Sequence, residues 1–372
     1  MLHIKGVLGA DGASAVEYGL ARELYPQVVS DWLLDVRAEQ AWRERFEALG
    51  SRIEILDVPK GKGGIRKVLR KYRIYRDWFR GHPYEAVHVD TDGFHRVVEL
   101  YAAKRAGIPK RILHAHNIEA EYTGRLGGSP LTRQIGQRLY TRLATDFLAC
   151  SEDAGEWLFG KKRAGKIVVL KNGIDIGRFR FDPVKREEAR KALGIGEDEI
   201  LLGHVGRFER QKNHAFLVEV FRKIHEENPK VRLLLIGEGS LKEETARAVR
   251  EAGLEAEATF LGNTDDPALY YQAMDLFLFP SLFEGLGIVA VEAQCAGVPC
   301  LISDRVPRAA GITADCAFLP IDKGPEPWAE AAREALSKAQ PREKGCEAVA
   351  AAGYDIRLSA ERMREIYPGK DA

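Results

Sequence analysis

Short β-branched or apolar runs alternate with amphipathic stretches from one end of this chain to the other, which is the pattern of parallel βαβ units. In the first half the candidate strands are His3–Leu8, Val28–Leu34, Arg52–Leu56, Ala86–Asp90, Arg111–His114 and Phe147–Cys150, with helix-like stretches such as Ala13–Leu24 and Phe94–Arg105 between them. The alternation restarts after Phe179–Pro183, with strands expected near Ile200–Val205, Val231–Ile236, Thr259–Leu261, Leu276–Phe279 and Pro299–Ile302. At 372 residues the chain is too long for one hydrophobic core and suits two domains. The expected fold is therefore α/β: two doubly wound parallel-sheet domains in tandem, facing a cleft, with a last amphipathic helix from about Asp355 to Tyr367 that no strand follows. Sites on such sheets form outside the carboxyl ends of the strands, so the cleft is the expected location.

Composition excludes little. With 45% hydrophobic and 30% charged residues and a formal net charge of +1, the global balance names no partner. No run approaches the roughly 18 apolar residues of a spanning helix, and the start reads as a first strand and turn rather than a secretory signal. A cytosolic location is expected. The five cysteines, Cys150, Cys295, Cys300, Cys316 and Cys346, are odd in number and lack CxxC spacing. They read as reduced thiols, mostly buried, with neither a disulfide framework nor a zinc site.

The second half carries phosphate chemistry. In GHVGRFERQKNHAFLVEVF (Gly203–Phe221) a strand ends at Val205, a turn begins at Gly206, and a helix starts near Asn213. Arg207 and Lys212 fall in the loop between, where a planar bidentate donor and a point charge can clamp a diphosphate. Solvated loop charges are the plainer explanation of any one Arg–Lys pair. In LLLIGEGSL (Leu233–Leu241), Gly237 and Gly239 follow a strand, which lets backbone approach a ligand closely or simply makes a tight turn.

The stretch SLFEGLGIVAVEAQCAGVP (Ser281–Pro299) sets Glu292 in an otherwise apolar helix, costly for a carboxylate unless something polar meets it. The loop Ser281–Leu286, containing Glu284 and Gly285, leads into a helix from about Gly287 to Ala296, stopped by Gly297 and Pro299. Free N–H groups of Gly287, Ile288 and Val289 would point at an anion. Glu292 lies roughly 7–8 Å of helix rise beyond that end. A nucleotide diphosphate sugar has this anatomy, with Glu292 placed for a ribose, Glu284 for the transferred sugar and phosphates between.

At these residues the sequence resembles the retaining glycosyltransferases of the GT-B fold, family 4. The likeness is carried by the E-x7-E element Glu284–Glu292, by Arg207 and Lys212 in GRFERQKN, and by NGID (Asn172–Asp175). It extends to HAHN (His114–Asn117), to Ala144–Gly160 and to GYDI (Gly353–Ile356). Within that family the pattern is most similar to enzymes of bacterial exopolysaccharide or capsule assembly. The resemblance implies Rossmann-like domains: an acceptor-binding one over residues 1–175, joined by a crossover helix at about 355–372, and a nucleotide-sugar-binding one over 176–354. It implies a hexosyl transfer from a nucleotide diphosphate sugar, a UDP-sugar by analogy, with no metal required and the cations doing a metal's work. His116 matches the family histidine that meets the transferred sugar, with His114 as the alternative. Gly12, in Gly9-Ala10-Asp11-Gly12, stands where the family has paired glycines. Backbone around Leu261–Asn263, Asn263 included, and Leu286 are expected near the donor. Asp90-Thr91-Asp92 looks like the metal-binding DxD of the other glycosyltransferase fold, but it follows a strand of the acceptor half and is discounted.

The acceptor is addressed by one further segment, KGKGGIRKVLRKYRIYRDWFRG (Lys60–Gly81). It sets nine basic residues (Lys60, Lys62, Arg66, Lys67, Arg70, Lys71, Arg73, Arg76, Arg80) against Asp77. Ile65, Val68, Leu69, Tyr72, Tyr75 and Phe79 share one helical face, with Trp78 beside them. Such a helix suits an anionic membrane surface on the inner face of the cell membrane; packing of its apolar face on the sheet is the competing and compatible explanation. No nucleic-acid motif accompanies the charge. The expected activity is hexosyl transfer to a lipid-linked or polysaccharide acceptor. The alternatives are an inactive nucleotide-sugar-binding partner subunit, a dehydrogenase, for which no GxGxxG follows the first strand of either half, and a pyridoxal-phosphate phosphorylase, for which no cofactor lysine is identifiable.

Overall fold

The computed structural model describes residues 1–9, 11–59, 64–91, 93–116, 130–338 and 341–367. Asp92, Asn117, Lys60 and Lys62 lie outside the described residues. The chain divides into two compact units, Met1–Gly173 with Ile356–Ala372, and Ile174–Asp355.

Among the described residues, the first unit holds a parallel sheet of β1 (Leu2–Leu8), β2 (Asp31–Ala38), β3 (Ile53–Ile55), β4 (Ala86–Thr91), β5 (Lys110–Ala115), β6 (Asp146–Ala149) and β7 (Ile167–Val169), in the order β3-β2-β1-β4-β5-β6-β7. β4 is buried along its whole length, as expected of a central strand covered on both faces. Two of its helices start at short polar side chains that cap them. Asp11 accepts from Ser14 N at 2.9 Å ahead of the Gly12–Leu24 helix, and Ser151 from Ala154 N at 3.2 Å ahead of Glu152–Phe159. The Ile356–Ile366 helix belongs to this unit: Ile356, Ala360 and Met363 pack with Leu20 and Leu24, and Ser359 Oγ donates to the Lys171 carbonyl at 2.9 Å.

The second unit repeats the topology with β8 (Ile200–Val205), β9 (Val231–Ile236), β10 (Ala258–Gly262), β11 (Leu276–Phe279), β12 (Cys300–Ser303) and β13 (Cys316–Leu319), in the order β10-β9-β8-β11-β12-β13. Every pairing is parallel. Strand order reverses between β1 and β4 in one sheet and between β8 and β11 in the other, which fixes where ligands can enter each sheet.

The expected strands form, three of them (β8, β9, β11) with the bounds read from sequence. β2 lies three residues later than expected, because Val28 N closes a turn on the Leu24 carbonyl before the strand begins. β7 and β13 were not anticipated. Both are short edge strands, and the side chains of β13 are only half-buried, which leaves little apolar signal.

Candidate active site

In the second unit the loops after β8 and β11 leave adjacent strands at the switch point and are bolted together. Leu282 N donates to the Gln211 carbonyl at 2.8 Å, Gln211 Nε2 to the Phe283 carbonyl at 3.0 Å, and Asn213 Nδ2 to the Pro280 carbonyl at 3.3 Å. Asn213 takes the left-handed conformation (φ 56°) that joins the short Arg210–Lys212 turn to the His214–Glu227 helix. Asparagine tolerates that conformation better than other side chains. The result brings Lys212 Nζ to 2.6 Å from Glu284 Oε1, with both side chains nearly buried (13% and 8% exposed) and the ammonium over the Phe279 ring. Gly206 lies against the Lys212 stem, where a Cβ would come within 3.1 Å of it.

Arg207 stands exposed on the same loop with no side-chain partner among the described residues. Gly237 and Gly239 sit against the Gly206–Phe208 backbone: a Cβ on Gly237 would fall 2.2 Å from the Gly206 carbonyl oxygen and one on Gly239 2.5 Å from that of Phe208. Their close approach is thus to the protein's own neighbouring turn. Asn263 is exposed just after β10, whose Gly262 carbonyl accepts from Gly237 N at 2.9 Å.

Gly285 and Leu286 are half-buried and lead to Gly287, left-handed at φ 84°, where a Cβ would strike the Phe279 ring at 2.6 Å. The Ile288–Cys295 helix follows, and its first backbone bond runs from Ala290 N to the Gly287 carbonyl. The amides of Ile288 and Val289 precede that bond and have no intrahelical acceptor. Glu292, buried, accepts from Tyr271 Oη at 3.0 Å. Burial pushes its carboxyl up to about 7, against the opposing pull of the Tyr271 hydrogen bond and of Arg178. Tyr271, on the Pro267–Ala273 helix, escaped the sequence reading because nothing in its local spacing marks it as the partner of a residue 21 positions away.

The first unit gathers its polar residues at the β1–β4 switch point. Gly12 opens the first helix behind the Asp11 cap, and Gly9 N donates to Ser14 Oγ at 3.2 Å. His116 is the more accessible of the two candidate histidines, at 21% side-chain exposure against 6% for His114, and its Nε2 is 2.6 Å from Asp90 Oδ1. Burial alone would lower the His116 pKa; the Asp90 hydrogen bond and charge raise it overall. Asp90 is buried, and although burial favours its neutral form, His88 and the His116 hydrogen bond hold it well below the usual carboxylate range. Its surroundings are imidazoles, and Asp92 of the DxD-like run is outside the described residues. Lys5 Nζ pairs with Glu17 Oε2 at 2.6 Å alongside. His3, His88 and Asp90 were missed as a group; the signal was His/acid residues two apart on neighbouring strands.

Comparison with known proteins completes the assignment. Residues 16–178 match the family described as Glycosyltransferase Family 4, and residues 185–350 match Glycosyl transferases group 1. The chain is 32% identical over 376 residues to EpsF of Bacillus subtilis (strain 168), named as a glycosyltransferase, covering 99% of this chain and 96% of EpsF. The chain belongs to glycosyltransferase family 4, with the GT-B fold. Other relatives include the Escherichia coli UDP-Gal:alpha-D-GlcNAc-diphosphoundecaprenol alpha-1,3-galactosyltransferase, 26% identical over 59% of this chain and 58% of that protein. CapM of Staphylococcus aureus, a capsular polysaccharide biosynthesis glycosyltransferase, is 32% identical over 43% of this chain and 44% of CapM. Anabaena HepE, crystallised with UDP-glucose, shares the fold at a TM-score of 0.77 and 20% identity, with 98% of both chains covered.

The basic segment forms the Ile65–Gly81 helix, and its apolar face is not uniformly packed. Tyr75 and Phe79 are in the core, whereas Ile65 is 72% exposed, with Val68 and Leu69 also exposed. Packing on the sheet therefore accounts for only the second half of that face. No helix among the described residues is long and apolar enough to cross a membrane.

Proposed function

We propose that this family 4 member transfers a hexose from a UDP-sugar to a lipid-linked or polysaccharide acceptor with retention of anomeric configuration, in exopolysaccharide, capsule or cell-envelope glycan assembly. The observation that carries the reading is the convergence of Lys212 and Glu284 at the β8–β11 switch point, 72 residues apart in sequence and 2.6 Å apart in space. Lys212 has three N–H donors, so it can keep Glu284 and still offer protons to a phosphate. Arg207 and the amides at the start of the Ile288–Cys295 helix supply the remaining positive field. Charge growing on the departing diphosphate is then stabilised by groups already in place, with no metal needed for that step. Glu284 holds the transferred sugar and Glu292 the ribose; in the other unit His116 is held by Asp90. The named substrate of the E. coli relative and the UDP-glucose of HepE support the choice of donor.

The exposed apolar half of the Ile65–Gly81 helix, with Arg66, Arg70 and Arg73 exposed around it, suits peripheral contact with an anionic bilayer bearing a lipid-linked acceptor. A thermal-shift and donor-hydrolysis screen against UDP-, GDP- and ADP-sugars tests the reading. A UDP-sugar-specific shift with slow, chelator-resistant release of UDP is expected. Binding without transfer or hydrolysis would favour the inactive partner subunit instead.

A further inference from the structure

The cluster around Asp90 holds more imidazole than contact with one sugar requires. Parallel register sets it: His3 pairs with His88 across β1 and β4, and Asp90 with His114 across β4 and β5. Because alternate residues of a strand share a face, His88 and Asp90 point the same way, as do His114 and His116. His88 Nε2 lies 3.2 Å from His114 Nδ1 and 3.4 Å from Asp90 Oδ1, and His114 Nδ1 lies 3.8 Å from the same oxygen. Three ligands on a tetrahedral ion at about 2.0–2.1 Å stand about 3.3–3.4 Å apart. The triangle in the structure is within a few tenths of an ångström of that face.

Two further features point to a ligand. His114 Nε2 is buried and has no hydrogen-bond partner, and Asp90 Oδ2 and His3 Nδ1, also without one, face each other at 3.8 Å, at side chains no more than 7% exposed. A cavity of about 30 Å³, room for one small ligand, is lined by His3, His88, Asp90, His114, His116 and Tyr367 among others. The outer shell is also built. Tyr367 Oη lies 2.7 Å from His88 Nδ1 and 3.2 Å from His3 Nε2. With His88 Nδ1–H donating to Tyr367 and the tyrosine hydroxyl donating to His3, the Nε2 lone pair of His88 faces the cluster, the arrangement that fixes a metal-ligating histidine.

We propose that His88 Nε2, His114 Nδ1 and Asp90 Oδ1 form a site for a divalent transition ion, Zn²⁺ by its donor set, with the fourth position open to the cavity. Without metal, a single proton bridges His88 Nε2 and His114 Nδ1; the ion replaces it, and the His114 proton moves to Nε2. Nitrogen ligands exclude Mg²⁺ and Ca²⁺. The neighbouring Glu17–Asp90–His116 group is not the site, because Lys5 Nζ already supplies the cation there, 2.6 Å from Glu17. The ion would tie β4 to β5 and, through the Tyr367 hydroxyl on His88, to the end of the last helix, a structural role that takes no part in the release of UDP.

The test reads metal content and melting, neither of which involves a sugar nucleotide, so it stands apart from the proposed transfer reaction. Untagged full-length protein is stripped with a chelator, then titrated with Zn²⁺ against a chromophoric indicator and with Co²⁺ by visible absorption. The expected result is one equivalent per chain, a raised melting temperature, and the intense d–d bands of four-coordinate Co²⁺. His88→Gln and His114→Gln should each weaken binding by at least about 100-fold, and Tyr367→Phe, which keeps all ligands, by about tenfold. Circular dichroism identifies any variant that fails to fold, and Tyr367→Phe keeps the test decisive in that event. Stoichiometric binding unchanged in all three variants, which would point to the free cysteines, or no stoichiometric binding by the native protein, would overturn the proposal.

Discussion

Glu292 is a carboxylate whose ordinary pKa of 4.5 is pushed up to about 7 by burial, with Tyr271 Oη as its hydrogen-bond partner. Its folded pKa lies above its unfolded one, so the stability it contributes is complete below the ordinary carboxylate range and is lost as pH rises through about 7. Glu292→Gln keeps an acceptor for Tyr271 and removes the titration. Urea melts at a series of pH values should show the variant gaining on the native protein across that window, by on the order of 1–3 kcal/mol. A pH-independent difference would mean that Glu292 is solvated. The same substitution should weaken UDP-sugar binding if the carboxylate receives the ribose hydroxyls. At Lys212, Lys212→Ala leaves Glu284 without its partner; on the proposed roles turnover should fall through both residues, and Lys212→Arg, which restores charge but not shape, should recover only part of it.

At the level of elements, the turns after β8 and β9 are packed as one piece. Gly237→Ala places a methyl 2.2 Å from the Gly206 carbonyl at a φ of 141°, and should cost about 1–3 kcal/mol in thermal melts while raising the donor KM through the shifted Arg207 loop. The Ile65–Gly81 helix makes a separate prediction. Flotation with anionic vesicles should recover the protein in a salt-sensitive way, and Ile65→Glu with Leu69→Glu should abolish it; equal recovery with neutral and anionic vesicles would remove the membrane from the account. These elements also show what a sequence can reveal. β11 is a continuous apolar run, and β8 and β9 are largely apolar, interrupted by Gly203-His204 and by Arg232; all three are bounded by glycine, proline or charge and were readable to the residue. The turns carrying Lys212 and Glu284 were legible as strand end, turn and helix start, and the structure brings these two side chains together. Tyr271 and the grouping of His3 and His88 with Asp90 were not, since each residue is unremarkable in its own segment and only strand register or helix packing assembles the set. The half-exposed face of the basic helix was likewise hidden, because periodicity reports which residues share a side and not what covers it.

The whole molecule repeats one device. Each unit is a doubly wound sheet whose strand order reverses once near its middle, and each puts its candidate residues at or beside that reversal: Lys212 with Glu284 after β8 and β11, and Asp90 near the end of β4 with His116 just past β5. The proposed donor chemistry rests on the first pair, and the second pair lies in the other unit. The central claim is that fixed cations stabilise the leaving diphosphate. The direct measurement is the rate of UDP release from the donor, in the presence of chelator, by the native protein, Arg207→Ala and Lys212→Ala, with folding checked by circular dichroism. The account predicts chelator-resistant release by the native protein and a loss of about 100- to 1,000-fold in each variant. Near-native rates in both folded variants would contradict it.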